Sequence, residues 1–158
     1  MDNHTSILIN ELKKLLNGGG AHVGLKEALA NLSLNQISER PYGLPYSIWQ
    51  LAEHIRIAQW DMFEFSKDAN HQSPKWPDEY WPKEPAPKDE QSWKNTLMNI
   101  EKDLKEFIKL IESQDLYCEI PHGNGQTLLR EALQIADHNA YHLAEIIVIR
   151  RLIGAWKS

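Results

Sequence analysis

Cysteine is almost missing from this chain. Cys118 stands alone among 158 residues, so no disulfide closes within it and the stapled scaffold of a small secreted protein is excluded. Met1 to Asn10 also lacks the basic-then-apolar layout of a secretory signal, and the two absences together predict a cytoplasmic protein. No apolar run approaches the roughly 20 residues that span a bilayer. The longest stretch of interest, Ile146 to Ile149, lies inside a charged helix, so no membrane partner is expected. Positive charge is not in excess either. Seventeen Lys and Arg stand against 22 Asp and Glu, interspersed, for a net charge of -5, which argues against a protein built to grip a phosphate backbone and makes nucleic acid an unexpected partner. Gly18-Gly19-Gly20 lacks the Lys-Ser/Thr that a phosphate loop needs and reads as a helix stop. There is no internal repeat.

What is present has the balance of a folded globular protein: 42% hydrophobic and 25% charged residues, in a length that predicts one domain over 1–158. Four segments carry apolar residues at helical spacing, bounded by start or stop chemistry, so the reading is all-α. The first, Thr5 to Asn17, places Leu8, Leu12, Leu15 and Leu16 inward, and a short amphipathic piece over Leu25 to Leu32 follows. The second begins at Ser47, where Gln50 completes a capping box just after Pro45, and runs to about Ser66. Its seam is Ile48, Leu51, Ile55, Ala58, Met62 and Phe65. The third spans Asp89 to Ser113 with Trp93, Leu97, Ile100, Leu104, Phe107 and Ile111. The fourth spans Thr127 to Ile153, stopped by Gly154, with Leu128, Ala132, Ile135, Asn139, His142, Ile146 and Ile149 inward. About twenty residues holding Pro74, Pro77, Pro82, Pro85 and Pro87 separate helices two and three, far more than a tight helical hairpin needs. A long crossover lets those two helices run the same way. Its Trp76, Tyr80 and Trp81 are expected to cover the end of a bundle.

Two polar residues interrupt the fourth apolar stripe, and there the chemistry begins. His138 and His142 are four apart on one helical face, about 6 Å in rise. On an inward stripe with Ile135, Ile146 and Ile149, an imidazole without a partner costs a few kcal/mol of desolvation, so something must satisfy those nitrogens. His54 supplies a third inward imidazole between Leu51 and Ala58. Three histidines leave a fourth position open, the arrangement of catalytic rather than structural zinc-type sites. Neutral nitrogen ligands suit zinc, nickel, cobalt, iron or copper, with zinc or nickel foremost.

The run "SIWQLAEHIRIAQWD" with one histidine, and "TLLREALQIADHNAYHLAEIIVIRRLIGAW" with two, resemble the DinB/YfiT-like superfamily of four-helix-bundle metalloproteins, which is distinct from the DNA polymerase of similar name. The resemblance covers most of the chain. It implies an up-down-down-up four-helix bundle, a divalent metal on His54, His138 and His142, and a homodimer. It also implies a metal-dependent enzyme of the thiol-dependent transferase or hydrolase type, acting on a small molecule such as a low-molecular-weight thiol.

Asp61 lies seven after His54 and Glu145 seven after His138, so each returns to its histidine's face and is a candidate base or orienting carboxylate. A zinc-type ion lowers the pKa of bound water to near 7, so no protein nucleophile is required. Cys118 and His122 flank Pro121 without an orienting partner, a weak nucleophile pair. His22 and His122 are loop histidines that either fold over the metal or have no such duty. Arg150 and Arg151 favour the helix dipole, and secondarily a clamp for an anion. His4 and His71 read as solvent residues. Two other functions stay open beside the enzyme: a non-catalytic metal-binding module, and a metal-free helical interaction protein whose histidines satisfy one another through water.

Overall fold

The computed structural model describes residues 3–156. Six α-helices follow one another: α1 (Asn3–Leu16), α2 (Leu25–Ala28), α3 (Leu34–Ser38), α4 (Ile48–Lys67), α5 (Glu90–Ser113) and α6 (Leu128–Leu152), with a 3-10 turn at Pro41–Gly43 between α3 and α4. Among the described residues there is no strand, only two isolated β-bridges. No helix is long and apolar enough to cross a membrane.

Caps set the boundaries. Ser47 and Gln50 form the expected capping box at the start of α4. Asp89 and Thr127 accept from the backbone N–H of Ser92 and Arg130 to start α5 and α6. Such caps satisfy N–H groups that have no partner inside the helix. The segment after α1 corrects the sequence reading, which ran one piece from Leu25 to Leu32. The chain breaks after α2 through Asn31, at φ 56°, and Ser33 with Gln36 starts α3 by a second capping box. Gly18 has a positional reason to be glycine. Its φ is +114°, and a Cβ there would meet the Gly24 Cα at 2.8 Å, so two backbones pass too closely for any side chain.

The buried apolar residues fall into two clusters. One joins Ile48, Leu51 and Ile55 of α4 to Trp93 and Ile100 of α5 and to Leu143, Ile146 and Ile149 of α6, with Ala28, Leu29 and Ile37 above them. The other joins Phe63, Phe107 and Ile111 to Leu128, Ala132 and Ile135, with Ile9, Leu12 and Leu16 of α1 packed on them. Along α4 and α5 the contacts advance together, from Glu53 with Thr96, through Gln59 with Ile100, to Phe63 with Phe107. Between α4 and α6 they advance in opposite order, from His54 with His142 to Gln59 with Asn139. The expected α4 seam holds as far as Ala58; beyond it Phe63 takes the buried place and Met62 and Phe65 are only half-buried, because α4 there meets both α5 and α6 and Phe63 points at the Phe107 ring.

A polar belt separates the clusters. Gln59, fully buried, donates to the Ile100 carbonyl at 2.8 Å and accepts from the Asn139 amide at 2.9 Å. His54, His138 and His142 lie in the same belt. At the far end of α6, Arg150 is 6% exposed and donates to the carbonyls of Glu27, Ala28 and Ala155 while its guanidinium lies over Trp156. Arg150 does stand in the last turn of α6, as the dipole reading expected, and it is also a buried joint between α2, α6 and the tail.

Candidate metal centre

α4 delivers His54, and α6 delivers His138 and His142 one turn apart. One ring nitrogen from each lies within 4.8 Å of the others, and this is the group of potential ligands found among the described residues. His54 Nε2 and His138 Nε2 face each other at 3.0 Å. Two nitrogens on one ion at about 2.05 Å would stand roughly 3.3 Å apart, so the separation of this pair is close to that of two ligands of one ion. His142 meets both other rings edge-on, with centroids 4.6 Å from each.

The rings are oriented from behind. His54 Nδ1–H donates to the Tyr80 carbonyl at 3.0 Å, and His142 Nδ1–H donates to Glu145 at 2.6 Å. Each bond fixes a tautomer and leaves the Nε2 lone pair free. His138 Nδ1 is buried with no hydrogen-bond partner. Burial pushes both His54 and His138 down to about 4, chiefly because a charged ring cannot be solvated there. The two rings are therefore neutral at pH 7, and each keeps one nitrogen lone pair that an ion can use. The donor set fits a divalent transition metal: three imidazoles converge from two rigid helices, and the rings of His54 and His142 are held from behind by their Nδ1–H bonds.

The proline-rich crossover is strapped over this site. Ser47 donates to the Pro85 carbonyl at 2.6 Å and Gln50 to the Pro82 carbonyl at 2.9 Å, which ties the segment to the first turn of α4. Trp81 then stacks on His54 at 3.7 Å with 7° between planes, and Tyr46 stacks on the other side of Trp81 at 4.2 Å. Trp81 covers the site as expected. Trp76 does not; it is 71% exposed, its ring 6.4 Å from that of His54.

The two carboxylates are placed differently from their sequence spacing. Glu145 partners His142, three before it, and not His138. Asp61 does not touch His54; it accepts from the Tyr80 hydroxyl at 2.5 Å and from His71 Nε2 at 2.7 Å. His71 is corrected from a solvent residue to a side chain only 8% exposed. A loop histidine carries no periodicity, so only its pairing with a helical carboxylate reveals it. His22 is exposed and bonds the neighbouring Val23 carbonyl. His122 bonds the Phe65 carbonyl at 2.6 Å. Neither belongs to the triad. Cys118 is exposed beside Asp115, whose hydrogen bond and charge push its thiol up, opposite to what a nucleophile needs. His4 is exposed.

Leu44, Tyr46, Leu51, Tyr141, Glu145 and Val148 line an apolar cavity of about 380 Å³, to which the three histidines contribute no wall. Glu145 is its charged wall. The family model of the DinB superfamily matches residues 22–146, a span that includes all three histidines. No curated protein and no solved structure matches the chain.

Proposed function

The chain belongs to the DinB superfamily, and on that premise we propose that it is a divalent-metal-dependent enzyme acting on a small molecule, of the thiol-dependent transferase or hydrolase type. One observation carries the reading: three imidazoles from two helices converge within 4.8 Å with no fourth protein ligand beside them among the described residues. The frame is read as an up-down-down-up bundle forming one domain, supported by the contacts that advance together along α4 and α5 and in opposite order along α4 and α6.

His54, His138 and His142 hold the ion, zinc or nickel foremost. When bound, such an ion is a Lewis acid that lowers the pKa of a thiol or water presented to it. Trp81 and the two apolar clusters keep water from the back of the site and so strengthen every charge interaction within it. Glu145 orients His142 through one carboxylate oxygen. Its side chain is 38% exposed, so the other oxygen is available to take a proton from an incoming nucleophile. Asp61, in contact with Tyr80 and His71, has no such access to a substrate. The cavity beside Glu145 suits the apolar part of a substrate.

The test is turnover by tag-free, metal-loaded protein. With a low-molecular-weight thiol and an electrophile, or with an aryl ester, the rate should exceed that of the free ion and vanish when the three histidines are changed to alanine. A metal that raises the melting temperature while every thiol and ester substrate returns the rate of the free ion would favour the second reading, a module whose ion serves to hold the bundle together.

A further inference from the structure

Tyr80 lies along α4 with its two ends on two different residues of that helix. Its backbone carbonyl accepts from His54 Nδ1, and its hydroxyl donates to Asp61. His54 and Asp61 are two turns apart, about 10 Å along one rigid rod. His54 is 2% exposed, so no water replaces the carbonyl if it moves. A carbonyl in a segment without regular structure is only as fixed as that segment. Here it is fixed by a side chain: the hydroxyl is anchored on Asp61, itself 9% exposed and held from its other oxygen by His71 at 2.7 Å. His71 is steadied in turn by the edge of Trp60, centroids 5.1 Å apart.

We infer that Asp61, Tyr80 and His71 form a positioning device for the metal site, in which the hydroxyl end of Tyr80 sets the carbonyl end that orients His54. The inference rests on the metal reading above and deepens it. The same clamp sets Trp81, the next residue, flat on the His54 ring. Asp61 is thus a positioning residue acting through Tyr80, and Glu145 is left as the carboxylate with access to chemistry. Groups that orient a metal-bound histidine typically change metal affinity about 10- to 100-fold when removed.

The full tag-free chain tests this with Tyr80→Phe and Asp61→Asn, using cobalt(II) and zinc(II) as probes. Tyr80→Phe keeps the ring, and circular dichroism verifies the helices. Both variants should still take up one metal, with zinc affinity in chelator competition reduced about tenfold or more and with a shifted visible spectrum of the cobalt form. A clamp that only stabilised the fold would lower the metal-free melting temperature and leave affinity and spectrum alone. That result in both variants overturns the inference while sparing the proposed function. Failure of the unaltered chain to bind either ion would instead remove the metal reading, and the inference with it.

Discussion

His54 is 2% exposed, and its ring nitrogens meet the Tyr80 carbonyl and the His138 ring. Its pKa of about 4, with the same value at His138, lies below the ordinary 6.5 of an unfolded histidine. In that window the unfolded chain binds protons that the folded chain refuses, so stability falls with pH. The sign is therefore fixed: the metal-free protein keeps this contribution above about pH 6.5, loses it progressively from there to pH 4, and shows no further loss from these groups below that. Each pKa unit corresponds to about 1.4 kcal/mol, so the two rings together should cost several kcal/mol over the window, with about 7 kcal/mol as the upper bound. Denaturant melts of the metal-free protein from pH 8 to 4 check it; a flat stability would contradict the burial argument. The triad was legible at this scale because helical spacing fixes which side chains share a face. The partners of the rings were not. Glu145 meets His142 because i,i+3 neighbours on a helix touch, and Tyr80 contributes a backbone carbonyl that no residue type announces.

At the scale of elements, α4, α5 and α6 were readable to within a residue or two, because Ser47, Asp89, Thr127 and Gly154 mark their ends. α3 was missed although Ser33 and Gln36 repeat the signature of Ser47 and Gln50; five residues are too few for periodicity to speak. Joints between elements were also hidden. Arg150 looked like an end-of-helix charge, yet it satisfies the last carbonyls of α2 and that of Ala155. Arg150→Ala should destabilise the protein by about 2–3 kcal/mol, since buried acceptors lose a charged donor. A change within ±0.5 kcal/mol, the range of ordinary surface substitutions, would show that water reaches those carbonyls. Phe107, fully buried against Phe63, should cost about 3–5 kcal/mol when cut to alanine, and urea denaturation reads both variants. Helicity should persist in each.

Across the whole molecule, two apolar clusters hold the helices and the polar belt between them holds the chemistry. That division explains why the site histidines tolerate burial. Gln59, Asn139 and the three imidazoles form one layer in which most polar atoms find partners, while the clusters on either side supply the stability that the layer costs. The family assignment and the all-α class were legible because both depend on patterns spread over many residues. The crossover was legible only as a long connection; its role as a strap over the metal site depends on contacts between Ser47, Gln50 and carbonyls more than thirty residues away. The proposed function turns on whether His54, His138 and His142 bind one metal ion. Elemental analysis of the tag-free protein beside its His54→Ala, His138→Ala, His142→Ala triple variant decides it. About one divalent transition metal per chain is expected in the first and none above background in the second. Equal metal content in the two, or no metal in either after loading, would rule the metal site out.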